Sequence, residues 1–186
     1  MRAGAHCFNL SASLRKLIMT SDTTTSSPIK LRLATAEDTA FLQRLFASTR
    51  DEFKMVITDE SQFAALISMQ FNFQKQQYQD GYPSGRDDII LLHDEPIGRI
   101  FVDESDRAVT LVDVALLPEY RNQGIGQKLL ADLLAHAASV QKPVRLHVFK
   151  NNPARNLYER LGFRQISEDS MYYEMICEPQ TVESDL

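Results

Sequence analysis

The sequence predicts an α/β protein with one mixed sheet and helices on its faces. Three observations predict it. The apolar periodicity switches between two residues and 3.6 residues in the order βααβββαβαββ, without an internal repeat. A glycine-bearing turn joins a long apolar strand to an amphipathic helix. The length, 186 residues, suits one domain with a tail and can bury a core without disulfides or metals.

The elements follow in order. Ile29 to Leu33 alternates apolar and polar residues, the period of a half-buried strand. Thr35 opens a helix, with Asp38 completing an approximate capping box and Glu37 favouring the positive helix end. Phe41, Leu42, Leu45 and Phe46 follow at helical spacing. A second helix is expected from Ser61 to Gln79. One stripe on it is Leu66, Met69 and Phe73. Another is Phe63, Ile67, Gln70, Gln74 and Gln77, apolar at its start and amide-lined at its end. Residues Gly81 to Gly85 break it. Ile89 to Leu92 reads as a buried strand, Asp94-Glu95-Pro96 as a turn, and Ile97 to Val102 as the hairpin partner. Val109 to Leu117 is a long apolar strand interrupted by Asp113 and stopped by Pro118. A helix is expected from Gly124 to Ala138 and a strand from Pro143 to Phe149. A short helix starts at Asn152-Pro153 and ends near Leu161, with Gly162 past its end. Phe163 to Ser167 and Met171 to Cys177 close the sheet.

Composition excludes several classes. The chain carries 20 basic and 25 acidic residues, a net of −5, which argues against nucleic acid as a partner. Cys7 and Cys177 lie far apart with no metal-ligand spacing, so no metal is expected, and the pair fits a reducing, cytoplasmic compartment. No apolar run approaches the roughly 20 residues of a membrane helix, so no membrane partner is expected. Charge is uneven. Residues 1–27 hold Arg2, Arg15, Lys16 and Asp22, a local +2, so the other 159 residues carry −7. The Ser/Thr-rich stretch Met19 to Ser27 reads as a linker without structure. The segment before it reads either as an upstream leader, with Met19 the true start, or as an organelle targeting segment. The expected organisation is a tail over 1–27, a domain over 28–178 and a short tail over 179–186.

The strongest chemical signal is Arg121-Asn122-Gln123-Gly124-Ile125-Gly126. Two glycines allow a tight turn and a close approach of an anion to the main chain. The N–H groups of the first helical turn lack intrahelical partners, and the helix dipole adds positive charge. Such a turn suits a pyrophosphate. Arg121 would add a cation, and Lys128 another. The spacing fits neither the dinucleotide fingerprint nor the triphosphate loop. A glycine turn without a ligand is the competing reading.

The run Val114-Ala115-Leu116-Leu117-Pro118-Glu119-Tyr120-Arg121-Asn122-Gln123-Gly124-Ile125-Gly126 resembles the acyl-CoA-binding motif of the GNAT acetyltransferase superfamily. A second block, Asn151-Asn152-Pro153-Ala154-Arg155-Asn156-Leu157-Tyr158-Glu159-Arg160-Leu161-Gly162-Phe163, resembles the same family in the right order, and the likeness covers Ile29 to Cys177. The resemblance implies a GNAT fold: a mixed sheet of six to seven strands, splayed between the fourth and fifth, flanked by about four helices. It implies acetyl-CoA as co-substrate, with residues 123 to 126 on the pyrophosphate and main-chain groups of Leu116 and Leu117 pairing with the pantetheine arm like an added strand. Arg121, Asn122, Gln123, Gly124, Ile125, Gly126, Asn151, Ala154 and Tyr158 are thereby expected at the cofactor. Main-chain N–H groups of this strand would polarise the acetyl carbonyl.

Tyr158 matches the family's general acid, which protonates the departing thiolate; plain packing of a core aromatic competes with that role. Asn152 is better explained as the cap of the helix that Pro153 opens. Asp113 is the sole acid in its apolar strand. A carboxylate there is costly unless paired or open to a cavity, so it is a candidate base and substrate contact. A structural hydrogen bond at a strand bulge is the alternative. The family often places its base Glu earlier on this strand, where this chain has Ala108, Val109 and Thr110. Asp103, Glu104 and Asp106 are possible substitutes, more simply read as solvated turn residues. His93, His136 and His147 have no partner at metal or triad spacing, so direct attack of an amine on the thioester is the simpler mechanism.

By the same resemblance, the acceptor pocket would lie on the first two helices, with Gln70, Phe73, Gln74 and Gln77 from the second helix, Tyr82 from the loop after it, and Asp113. A solvated helix face is the alternative for the glutamines. The acidic balance is compatible with a cationic amine. The expected function is N-acetyl transfer to a small-molecule or peptide amine, by a monomer or homodimer. Protein N-terminal or lysine acetylation and a non-catalytic CoA-binding module are the alternatives.

Overall fold

A computed structural model describes residues 28–50 and 59–179. The expectations for residues 1–27 and for 180–186 lie outside the described residues. The elements are β1 (Ile29–Leu33), α1 (Thr39–Ala47), α2 (Glu60–Gly81), β2 (Arg86–Leu92), β3 (Glu95–Glu104), β4 (Val109–Leu116), α3 (Ile125–Ser139), β5 (Val144–Phe149), α4 (Arg155–Arg160), β6 (Arg164–Glu168) and β7 (Tyr172–Cys177). One 3₁₀ turn precedes α1 and another follows β4. The order is the one the periodicity predicts.

The seven strands form one sheet in the order β1-β2-β3-β4-β5-β7-β6. Among the described strands only β4 and β5 run parallel. The larger core fills one face, where α3 and α4 bring Ile125, Leu129, Leu133 and Tyr158 onto Ile100, Leu111, Leu146 and Val148. The smaller core fills the other face, where Leu42 and Phe46 of α1 and Ile67 and Phe71 of α2 cover Ile89 and Leu91.

Local chemistry fixes the ends of several elements. Arg32 grips Asp38 with two bonds, 2.6 and 2.7 Å, and Asp38 accepts the Thr35 N–H at 2.8 Å. The Arg32 bond, helped by Thr35, holds the Asp38 carboxyl well below its usual range. Helix α2 starts one residue earlier than expected, because Asp59 caps it by accepting the Ser61 and Gln62 N–H groups. The stripe Met69 and Phe73 faces solvent, 62% and 65% exposed. The buried line on α2 is instead Ile67, Phe71, Gln74 and Tyr78, the first two buried and the last two half-buried. Strand β2 begins at Arg86, ahead of the apolar run, since polar residues pair as well as apolar ones: Arg86, Asp87 and Asp88 face Val102, Phe101 and Ile100. The β2–β3 turn is the pair His93-Asp94, both at positive φ, so Glu95 and Pro96 already belong to β3.

Two features of β4 position the site. Its pairing with β3 slips between Phe101 and Val102, leaving Val112 as an extra residue. Before this bulge, Val109 and Leu111 face the larger core. After it, Val114 and Leu116 do, and Asp113 and Ala115 turn to the face covered by α1 and α2. An unbroken alternation would have sent Asp113 into the apolar core beside Leu111. The second feature is divergence. Only Val109, Thr110 and Leu111 pair with β5. Beyond the bulge the two strands part, giving the splay that the resemblance implies.

Candidate active site

The turn after β4 presents main-chain donors. Gly124 sits at φ +80°, the left-handed region that favours glycine, and caps α3. No side chain caps this end, and the N–H groups of residues 123 to 126 find no acceptor among the described residues. The Gln123 side chain folds back onto the Glu119 carbonyl at 2.6 Å, clear of these donors. Ile125 is buried and contributes only its main chain. Asn122 is exposed at φ +60°. Convergent free N–H groups at a helix start fit a phosphate-type anion.

Arg121 does not serve this turn as a cation. Its Nε bonds the Leu116 carbonyl at 2.8 Å, and its Nη2 bonds the carbonyl and hydroxyl of Ser48, both at 3.1 Å. The guanidinium is thus spent joining the end of β4 to the chain after α1. Lys128 pairs with Asp132 along the exposed side of α3.

Main-chain groups line the slot between β4 and β5. The Leu117 N–H bonds the Ile97 carbonyl at 2.9 Å, so Leu117 faces β3 rather than the slot. Antiparallel pairing alternates bonded and non-bonded residues. Ala115 and Asp113 therefore also turn to β3, while Val114 and the Leu116 N–H are turned to the slot side, the Leu116 carbonyl already accepting from Arg121. Val114 replaces Leu117 in the expected pair. Gly98 permits this geometry: a Cβ there would lie 2.4 Å from the Ala115 oxygen and 2.7 Å from Leu116 Cδ2.

Asp113 belongs to a charged row that crosses three strands. Arg99 on β3 binds Asp87 on β2 through Nε at 2.6 Å and Nη2 at 2.9 Å, and reaches Asp113 Oδ2 with Nη1 at 3.4 Å. The Arg99 guanidinium lies 5.4 Å from the centre of the Tyr78 ring and 5.5 Å from that of Phe101. Burial pushes the Asp113 carboxyl above its usual range and the Asp87 charge adds to this, against the pull of Arg99 and Arg50. Asp113 and Arg99 floor a cavity of about 50 Å³ walled by Leu42, Leu45, Phe46 and Phe71, with Gln74 and Arg50 at its side. Bulge, floor and walls together set the Asp113 carboxyl at the lining of this cavity, with a single long contact to Arg99. Arg99 carries the sequence signal that flags Asp113, a lone charge in an apolar strand run, and was missed; Tyr78 and Asp87 gave no such signal.

Tyr158 projects from α4 into the larger core, 7% exposed, edge-on to Phe163 at 5.7 Å. Its hydroxyl makes no hydrogen bond among the described residues. Burial, then the Asp113 charge, pushes the phenol up to about 12, so acid and carboxylate sit within electrostatic reach. Asn152 Oδ1 accepts the Ala154 N–H at 2.9 Å, the capping role expected of it. Asn151 is exposed ahead of that turn, and Ala154 packs on the larger core.

The acceptor expectations divide. Gln74 and Asp113 line the cavity. Gln70 and Gln77 do not, and Phe73 points outward, because each lies about 100° around the helix from a buried position. Tyr82 packs edge-on against Phe101 at 6.2 Å, outside the cavity lining. Glu104 is held by His136 at 2.9 Å and Lys142 at 2.8 Å at the far end of β3, and neither it nor Asp103 reaches the slot.

Among the described residues no helix is long and apolar enough to cross a membrane, and no group of three or more His, Cys, Asp or Glu could hold a metal.

Comparisons with known proteins agree with this layout. A family model described as an acetyltransferase (GNAT) domain matches residues 86–165. A ribosomal-protein alanine N-acetyltransferase of Haemophilus influenzae is 37% identical over 67 residues, 34% of this chain and 44% of that protein, so the match spans less than half of the relative. An N-acetyltransferase of Thermoplasma acidophilum, solved with coenzyme A, superposes with a TM-score of 0.61 at 20% identity, over 81% of this chain and 98% of its own. A GNAT acetyltransferase of Elizabethkingia anophelis, solved with acetyl-CoA, does so with a TM-score of 0.54 at 18% identity, over 81% of this chain and 98% of its own.

Proposed function

We propose that this chain, which a GNAT acetyltransferase domain model matches over residues 86–165, is an acyltransferase that moves acetyl from acetyl-CoA to a primary amine by direct attack in a ternary complex. The observation that carries this reading is one of placement. The donor turn at 123 to 126 and the slot-facing groups of β4 flank the place where β4 leaves β5, Asp113 lies on β4 at the adjoining cavity, and the buried Tyr158 phenol is near enough to feel the Asp113 charge, which supports this reading.

Acetyl-CoA supplies the activated acyl group. The N–H groups of residues 123 to 126 hold its pyrophosphate. Val114 and Leu116 pair with the arm as a strand would, and a slot-facing N–H polarises the carbonyl. Asn151 stands beside the arm. Asp113 takes a proton from the ammonium, directly or through water, which frees the nitrogen lone pair. As the nitrogen–carbon bond forms and the carbon–sulfur bond breaks, Tyr158 gives its proton to sulfur. Solvent then takes the second proton from the acylated nitrogen and exchanges protons between the two side chains. Gln74 and the aromatic walls hold the acceptor's body.

A second reading, a protein N-terminus as acceptor, is favoured by the alanine N-acetyltransferase relative. One assay tests both: thiol release from acetyl-CoA with a panel of small amines and short peptides. Release stimulated by an amine is expected. CoA binding without release by any amine would leave a binding module and end the enzyme reading. Binding itself is read by thermal shift, since a ligand at 100 times its Kd stabilises by about 2.7 kcal/mol.

A further inference from the structure

We infer that Asp87 is a positioning residue for the transfer: it takes the short bonds of Arg99, holds that guanidinium off Asp113, and so leaves the Asp113 carboxylate able to receive a proton from the acceptor. The inference rests on the acetyltransferase reading and deepens it at Asp113.

The sheet register sets up a competition. Asp87 pairs with Phe101, and Phe101 with Asp113, so the two acids stand at one level on either side of β3. Arg99 lies two residues before Phe101 on the same face, diagonal to both acids. Diagonal neighbours sit about 7–8 Å apart, within reach of a long side chain. The guanidinium therefore has two carboxylates to choose from, and the distances record the choice. Arg99 donates to Asp87 from Nε at 2.6 Å and from Nη2 at 2.9 Å, and to Asp113 only from Nη1 at 3.4 Å. A charge-assisted fork outweighs a single long contact.

Arg99 has little room to leave the row. It is 8% exposed and lies against the Tyr78 and Phe101 rings. A buried cation that loses a partner is costly. With the Asp87 charge removed, the carboxylate within closest reach is the one that Nη1 already approaches. Asp113 would then take the fork. A carboxylate so held favours its ionised form and has its oxygens occupied, which makes it a poorer proton acceptor. Other groups share the field at Asp113. Arg50, after α1, favours its ionised form, the phenols of Tyr78 on α2 and Tyr158 on α4 feel its charge, and Tyr172 on β7 acts on Tyr78 in turn. These are the same in wild type and variant, so the comparison isolates the row.

The test is Asp87→Asn in the full chain, read in two ways. Carboxyl carbon-13 NMR gives the Asp113 titration midpoint without turnover. Thiol release from acetyl-CoA, with n-pentylamine and with a short Ala-initiated peptide, gives kcat/KM against pH. The midpoint should fall by about one unit or more, and the acid limb of kcat/KM should move down with it. The plateau above that limb should drop about 10- to 100-fold. Combining Asp87→Asn with Arg99→Gln removes the cation as well, so the double variant should be more active than Asp87→Asn alone, with a higher midpoint. Should the double variant not fold, Asp87→Glu supplies the control: it keeps a carboxylate for the fork and should stay close to wild type. A midpoint that Asp87→Asn leaves unchanged or raises would overturn the inference. So would a loss that persists in full in the folded double variant, or one that Asp87→Glu shares in full. A midpoint that falls with no loss of kcat/KM would overturn the positioning role. CoA binding by the wild type without thiol release from either acceptor removes the acetyltransferase reading and the transfer role with it, while the NMR midpoints still decide which carboxylate holds Arg99.

Discussion

Replacing Tyr158 with Phe removes one oxygen and keeps the ring. The ring is 7% exposed and stays edge-on to Phe163 at 5.7 Å, so packing is preserved. The lost hydroxyl has no hydrogen bond among the described residues, so no partner is orphaned and stability should change by less than about 0.5 kcal/mol. A phenol pushed up to about 12 is protonated throughout the working range, with roughly one molecule in ten thousand ionised at pH 8. It is a standing proton donor, and its removal should leave the shape of the pH profile unchanged. The rate should fall by about 10² to 10⁴, the range of a positioned acid, which is about 2.7 to 5.4 kcal/mol of barrier. Steady-state thiol release gives kcat, calorimetry gives the CoA Kd, and thermal melting gives stability. A CoA Kd that rises by the same factor as kcat falls would return Tyr158 to packing alone, as would a stability loss above about 1 kcal/mol.

Three further outcomes are expected. Asp113→Asn should lower kcat/KM by about 10² to 10⁴. Because burial raises the Asp113 pKa, its ionised form costs stability, so the variant should gain stability relative to wild type as pH rises through that pKa, read by melts from pH 4 to 8; the wild-type kcat/KM should lose activity on the acid side at a pH above the usual carboxylate value of about 4. Gly98→Ala places a Cβ 2.4 Å from the Ala115 oxygen and 2.7 Å from Leu116 Cδ2; overpacking of this kind costs about 1–3 kcal/mol, roughly 2–12 °C in Tm, and the shifted slot wall should weaken CoA binding in the same preparation. Asp38→Asn breaks the Arg32 fork and should cost about 1–3 kcal/mol at pH 7. Since Arg32 and Thr35 depress the Asp38 pKa, wild type and variant should converge as pH falls below about 4, and a gap constant from pH 7 to 2 would contradict the ion pair.

Apolar spacing and turn chemistry made the order of elements and the donor turn legible. The two motif blocks made the splay legible. The errors have physical causes. Arg121 was assigned to the anion because a cation beside a glycine turn suggests one; the Leu116 carbonyl and Ser48, the latter 73 positions away in sequence, claim it instead. The resemblance points to Leu116 and Leu117 at the slot, but a motif match carries no hydrogen-bond phase, and Leu117 bonds Ile97 instead. The amide stripe of α2 failed likewise: Gln74 reaches the cavity, and its neighbours at 70 and 77 miss it by a fraction of a turn. Arg99 and Asp87 required knowledge of strand register, which sets Asp87 beside Phe101 and Phe101 beside Asp113.

The parting of β4 from β5 has a consequence for amide hydrogen exchange. Leu117 bonds Ile97, and Ala115 and Asp113 share its orientation toward β3, so these amides open only when the hairpin does. Between them, the Leu116 amide points into the slot and depends on solvent. Neighbouring residues of one strand should thus exchange on different clocks in the free protein, slow at 115 and 117 and fast at 116. A ligand that fills the slot would bring the fast amide onto the slow timescale, so the slot reports its own occupancy one amide at a time.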